Sequence, residues 1–168
     1  MDFAQYVNDR LQSKDVDPTA AFSVTVEGPL TRNGMMDVSA TTVRSSGDPK
    51  MTEIVKTGIK AFDDAGYFQY FSALGSENLS IIISQDDKSV SGQFRLKMKT
   101  PERAKSVASG LSAIIQASKN IEQGPDDKLL IDNTSATVDG TIVTFSTVVP
   151  ATSFHQLLLS RVSKNKGE

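Results

Sequence analysis

Few side chains in this 168-residue sequence are equipped for catalysis. There is no cysteine, which excludes disulfides, thiolate metal sites and a cysteine nucleophile, and there is one histidine, His155. A catalytic base needs a nucleophile or an acid within hydrogen-bond reach, and the sequence around His155 supplies neither. We therefore interpret His155 as a structural or solvent-facing residue.

Paired carboxylates are the other candidates for chemistry. Asp63-Asp64, Asp86-Asp87 and Asp126-Asp127 could act as acids and bases or hold a metal ion. Each pair falls at a predicted break, where aspartate is favoured because its side chain bonds the local backbone. A carboxylate enzyme would need two acids that converge in one cleft, and this hypothesis ranks last. The sequence thus predicts a protein that is not an enzyme and that uses no cofactor or metal.

The composition is that of a folded protein without a strong charge bias. Hydrophobic residues make up 38% of the chain, charged residues 23%, and the net charge is −2. This is too apolar for a disordered chain, and the near-neutral balance argues against a nucleic-acid partner. Because no run approaches roughly 18 apolar residues, we expect no integral membrane segment.

Three hairpins alternate with helices along the chain. Their predicted turns, Asn33-Gly34, Asp86-Asp87 and Asp139-Gly140, follow one another at intervals of 53 residues. Period-two alternation and β-branched runs predict strands at 22–26, 38–43, 79–84, 90–98, 135–138 and 141–149.

Helices are predicted between these hairpins. Asp48-Pro49 and Thr100-Pro101 each place a capping side chain before a proline at the first helical position. The helices are expected at 2–13, 49–62, 67–74, 101–115 and from Ser153 onward, with a helix-like turn at 129–131. Because hairpins that bury one face need a shared layer of helices, we predict one α+β domain over residues 1–168. Its antiparallel sheet has about six strands from three hairpins, with helices packed on one face.

Tyr67, Phe68, Tyr70 and Phe71 form an aromatic cluster. These residues could line a ligand pocket between helix and sheet, or form a docking surface, since tyrosine is enriched at interfaces. A third interpretation is a segment that closes the core, because aromatic side chains dominate protein interiors.

The segment from residue 22 to residue 62 has a distinctive order of elements. A valine-rich strand and the Asn33-Gly34 turn lead into a second strand at 38–43. The break Ser45-Ser46-Gly47-Asp48-Pro49 and a helix through Ala61-Phe62 follow. In this order the segment resembles the C-terminal domain of TonB-type energy transducers.

The resemblance implies a noncatalytic protein-interaction module of the bacterial cell envelope. Its implied action is strand addition, in which a short segment of an outer-membrane receptor pairs with an exposed sheet edge. Strands 141–149 and 79–84 are the expected edges, and homo-oligomerisation through such an edge is the competing use. The predicted interaction surface comprises Tyr67, Phe68, Tyr70, Phe71, Val143, Phe145 and Val148.

A second hypothesis is a periplasmic protein that carries a small ligand or a lipid. Its pocket would lie between the helix layer and the sheet. The first residues, Met1-Asp2-Phe3-Ala4-Gln5, lack the basic and apolar regions of a signal peptide. We expect a periplasmic domain whose signal or anchor has been removed, with a cytoplasmic protein as the alternative.

Overall fold

The computed structural model describes residues 3–13, 15–121 and 124–164. Six strands and six helices lie in these ranges. The strands are β1 (Phe22–Pro29), β2 (Thr42–Gly47), β3 (Asn78–Gln85), β4 (Ser89–Lys97), β5 (Thr134–Asp139) and β6 (Ile142–Pro150). The helices are α1 (Phe3–Gln12), α2 (Pro49–Asp64), α3 (Gln69–Ala73), α4 (Pro101–Lys119), α5 (Pro125–Asp132) and α6 (Ala151–Lys164). Asp2, predicted as the start of the first helix, lies outside the described residues.

The six strands form one sheet in the order β2-β1-β3-β4-β6-β5, and every neighbouring pair is antiparallel. Three hairpins therefore stand side by side in chain order. The β1–β3 pairing joins the first to the second, and the β4–β6 pairing joins the second to the third. The predicted α+β fold with a six-stranded antiparallel sheet is confirmed.

Alternation along the strands separates an apolar side of the sheet from a polar one. Val26, Ile81, Phe94 and Phe145 lie opposite one another across four strands, on the side that carries the helices. Helix α2 packs on β1 and helix α4 packs on β5 and β6. The other side is rich in serine and threonine, so it can face water without burying polar groups. The buried core consequently lies between the sheet and one helix layer.

The two predicted helix caps are confirmed. The side chain of Asp48 accepts a 2.8 Å hydrogen bond from Met51 N, and that of Thr100 accepts a 3.2 Å bond from Arg103 N. Proline occupies the following position in both helices, where no partner for its missing N–H is needed. The sequence therefore locates the starts of α2 and α4, the helices that follow β2 and β4.

The predicted second strand of the first hairpin is wrong. It was expected at 38–43, but β2 spans Thr42–Gly47, and Val38 is 86% exposed in the preceding loop. Asp37 is the reason, because its carboxylate accepts a 3.0 Å hydrogen bond from Ser39 N and its carbonyl accepts a 2.6 Å bond from Thr41 Oγ1. These bonds hold 37–41 as a turn. The segment Ser45-Ser46-Gly47, expected as a break, therefore belongs to the strand.

The last helix also begins earlier than predicted. Helix α6 starts at Ala151, directly after Pro150 ends β6, rather than after a cap at Ser153. Ala151 N donates a 2.9 Å hydrogen bond to Lys88 O, so the first turn of α6 is anchored by the β3–β4 turn. This backbone contact takes the place of a side-chain cap.

Candidate functional site

His155 belongs to a hydrogen-bond network that joins α6 to the end of β3. Its Nε2 atom lies 3.3 Å from Gln85 Oε1, and Gln85 Nε2 donates to Pro18 O at 2.8 Å and to Ala20 O at 3.0 Å. The Gln85 residue is buried, so these partners satisfy polar atoms that water does not reach. The contact between His155 and Gln85 therefore holds α6 against the end of β3.

The three aspartate pairs lie at three separate places. Asp63 accepts a 3.0 Å hydrogen bond from Met36 N, and Asp126-Asp127 stand in the first turn of α5. Asp86 accepts from Ser89 N at 2.7 Å, and this backbone bond lowers the pKa of the Asp86 carboxyl. Among the residues that the structure describes, no group of three or more His, Cys, Asp or Glu side chains could hold a metal ion.

The prediction that strands 79–84 and 141–149 supply an open edge is wrong. Strand β3 lies between β1 and β4, and β6 lies between β4 and β5. Both carry fully buried residues, Ile81 and Val143, under the helix layer. Such apolar strands gain most from a central position, where both neighbours and the helices cover them. The edges of the sheet are instead β2 and β5.

Strand β2 presents an open edge. All six of its residues are exposed. Asp48 N donates to Ala21 O at 3.0 Å, and hydrogen-bonded pairs alternate along an antiparallel ladder. Val43, Ser45 and Gly47 therefore direct their main-chain N–H and C=O groups away from β1, and no described strand pairs with them. The other edge strand, β5, has helix α4 packed on one face, and four of its six residues are exposed.

A cavity of about 350 Å³ lies beside β2, between this strand, α2 and the loop before the strand. We call it the edge pocket. Met35, Val38 and Val43 expose 42%, 86% and 51% of their surface here. Exposed apolar residues are common singly, and here three of them surround one pocket next to an open strand edge. The edge pocket is lined by Val26, Met35, Met36, Val38, Thr41, Val43, Lys56, Ile59, Lys60, Asp63 and Asp64.

The charged residues of the edge pocket come from α2. Lys60 forms an ion pair with Asp64 at 2.8 Å, four residues further along the helix. Lys56 Nζ instead donates a 2.7 Å hydrogen bond to Ser45 Oγ on β2. Within the described part of the chain Lys56 makes no ion pair. A positive charge thus stands beside the open edge, and no carboxylate of the described residues forms an ion pair with it.

A second cavity system lies between α2 and α4, where the helices leave the sheet uncovered. Two adjoining cavities of about 210 Å³ and 320 Å³ share Phe62, Phe68 and Phe94. Gly92 lies on the same side of β4 as Phe94, and a Cβ atom built on it would meet nothing within 4 Å. We call this the apolar groove. It is lined by Ile54, Val55, Gly58, Ile59, Phe62, Tyr67, Phe68, Tyr70, Phe71, Ile81, Ile83, Phe94, Leu111 and Phe145.

The structure brings five of the seven predicted surface residues to the apolar groove, namely Tyr67, Phe68, Tyr70, Phe71 and Phe145. Tyr67 and Tyr70 are exposed at 53% and 64%, whereas Phe68 is buried. The other two residues lie elsewhere. Val143 is buried in the core, and Val148 is exposed on the polar side of the sheet, opposite Ser91. The aromatic cluster therefore combines core packing with the wall of a groove.

The residues of the edge pocket were missed by the sequence prediction. The alternating pattern at 38–43 indicated a strand there, which would have placed Val38 in a sheet. Nothing in the order of residues shows that Lys56 of α2 reaches Ser45 of β2, because this contact depends on how the helix packs on the sheet. The one local signal of this site in the sequence is Val43, an apolar residue that lies close to the polar run Ser45-Ser46-Gly47.

No protein-family model, curated protein or solved structure matches this chain. Its function is therefore inferred from its own residues, from their geometry and from their order in the sequence. In the described ranges, no helix combines the length and the apolar character needed to cross a bilayer.

Proposed function

We propose that this chain is a noncatalytic protein-interaction module that adds an extended segment of a partner to the edge of β2. The observation that carries the proposal is the row of outward main-chain groups at Val43, Ser45 and Gly47, on a strand whose six residues are all exposed. An incoming strand would pair with these donors and acceptors, which gives affinity, while the edge pocket would receive its side chains.

The resemblance of residues 22–62 to TonB-type C-terminal domains supports a place for this module in the bacterial periplasm. Residues 22–62 include β1, β2 and nearly all of α2, which together build the open edge. On this proposal the partner is a short segment of an outer-membrane receptor. A second copy of the chain, paired through the same edge, is the alternative partner.

The variant Ser45→Pro tests strand addition. Proline at position 45 removes an N–H that points away from β1, so it blocks the edge and leaves the β1–β2 ladder intact. Ser45→Ala is the matched control, because it keeps the N–H. We expect receptor-derived peptides to bind the wild type and Ser45→Ala in calorimetric titrations, and binding to Ser45→Pro to be lost. Binding that survives in Ser45→Pro, or flat titrations over a broad peptide panel, would exclude the proposal.

A second candidate function is the binding of an apolar ligand such as an acyl chain. The apolar groove favours it, because two connected cavities are lined almost entirely by hydrophobic side chains. Gly92→Leu would place an apolar side chain in the groove from the sheet, because a Cβ atom at this position meets nothing within 4 Å. Gln93→Leu, which points to the other side of the same strand, is the control. Native mass spectrometry should show a co-purified ligand in wild type and Gln93→Leu, and its loss in Gly92→Leu.

A further inference from the structure

The edge pocket has two different ends along β2. At Val43 the exposed surface is apolar, since Met35 and Val38 of the preceding loop stand beside it. At Ser45 the nearest charged group is the Lys56 ammonium, 2.7 Å from Ser45 Oγ. The two strand residues are two positions apart, so both side chains point to the helix side of the sheet.

Residues of an incoming strand that face Val43 and Ser45 point to that same side. Directly opposed residues in an antiparallel pair have Cβ atoms about 4.5–5.5 Å apart, so their side chains touch. An apolar side chain that faces Val43 would cover Met35 and Val38. An acidic side chain that faces Ser45 would reach the Lys56 ammonium, which lacks a described carboxylate partner.

The reverse placement is disfavoured by charge. Asp63 and Asp64 line the edge pocket together with Val43, and Lys60 is already paired with Asp64. A carboxylate that faces Val43 would therefore meet the like charge of Asp63, while the Lys60 ammonium already has a partner in Asp64. Complementarity assigns the acidic residue to the Ser45 end and the apolar residue to the Val43 end.

We propose that β2 selects an extended partner segment that carries an acidic residue and, two positions later, an apolar residue. This order holds for antiparallel addition, which is the more stable pairing per residue. The inference rests on the proposed function, because it specifies the partner of the same edge. It predicts a sequence preference that main-chain pairing alone would not produce, since main-chain groups are the same in every peptide.

The test uses fluorescently labelled peptides with a short threonine-rich host that carries Glu-Thr-Ile at its centre. Fluorescence anisotropy gives the Kd for this peptide, for Gln-Thr-Ile and for the reversed Ile-Thr-Glu. We expect each change to weaken binding roughly two- to fivefold, the range of an exposed ion pair. The preference for glutamate over glutamine should disappear in Lys56→Gln and should persist in Lys128→Gln, which removes a lysine on α5.

Charge reversal gives a readout that does not depend on loss of binding. Lys56→Glu should prefer Lys-Thr-Ile over Glu-Thr-Ile, and circular dichroism would establish that this variant is folded. If all host peptides bind equally and Ser45→Pro still abolishes binding, strand addition stands and the sequence preference is wrong. If no peptide binds the wild type, the proposed function fails and the preference fails with it.

Discussion

Lys56 Nζ donates a 2.7 Å hydrogen bond to Ser45 Oγ, and this contact joins helix α2 to the outermost strand of the sheet. Both groups lie at the surface, so the bond is made in competition with water. Its effect is geometric, because it holds an ammonium group beside main-chain groups that have no described partner. The same serine therefore has main-chain groups that face away from β1 and a side chain that is bonded to the lysine.

Replacing the Ser45 hydroxyl should cost little stability. Hydrogen bonds between exposed groups contribute about 1 kcal/mol or less, since water replaces the lost partner. We expect Ser45→Ala to lower the free energy of unfolding by less than about 1 kcal/mol, measured by urea denaturation. A loss above about 2 kcal/mol would mean that the serine is part of the core structure.

Gly34 should tolerate substitution far less well than Gly140. Both have positive φ, at 75° and 55°, where a Cβ atom costs about 1 kcal/mol. A Cβ on Gly34 would also collide with the backbone of Gln69 at the start of α3, whereas one on Gly140 meets nothing within 4 Å. We expect Gly140→Ala to cost about 1 kcal/mol and Gly34→Ala about 3 kcal/mol in urea denaturation. Equal losses would contradict the packing of this loop against α3.

Alanine substitutions of two isoleucines on β3 should distinguish the buried core from the more open apolar groove. Ile81 is 1% exposed, between Val26 and Phe94, whereas Ile83 is half-buried beside Gly92. Removing a fully buried side chain costs about 2–5 kcal/mol, so Ile81→Ala should fall in that range. Ile83→Ala should cost under about 2 kcal/mol, because water already reaches that site. Similar losses for the two variants in chemical denaturation would mean that the groove is closed in solution.

The loop before β2 should respond to acid through Asp37. Hydrogen bonds from the Ser39 hydroxyl and amide lower the pKa of this carboxyl in the folded protein. The carboxylate therefore stabilises the loop fully above about pH 4, and this contribution is lost as the pH falls through the lowered pKa.

The Ser39 amide should report this transition in an NMR pH titration, with a midpoint below the usual aspartate range. Asp37→Asn is the control, because its amide cannot titrate and the transition should vanish. A midpoint at the ordinary aspartate pKa would show that these hydrogen bonds do not form in solution.

Local signals predicted much of the fold. The caps at Asp48 and Thr100 precede prolines, and each defines a helix start through contacts within three residues of itself. The turn at Asp139-Gly140 likewise sits between β5 and β6. Only the second strand of the first hairpin is predicted too early, because Asp37 can bond its own backbone and this competes with the alternation that follows it.

The order of strands could not be predicted from such signals. Which strand lies at the edge depends on how β3 docks against β1 and how β6 docks against β4, and both contacts join segments far apart in the chain. The apolar runs that contain Ile81 and Val143 looked like exposed edges in the sequence but are central. The edge pocket was missed for the same reason, because Lys56 and Ser45 meet only when α2 lies on the sheet.

The side-by-side order of the hairpins has a consequence for how the chain folds. Each hairpin pairs chain neighbours, and the β3–β4 hairpin contacts both of the others, so it can act as the template on which they dock. The docking steps close the longer loops through α2 and α4, which makes them the slower events. A destabilising substitution of the buried Leu96 in this central hairpin should therefore slow folding. Destabilising substitutions in β2 should mainly speed unfolding. The strand proposed to receive the partner is then among the last to form and the first to open.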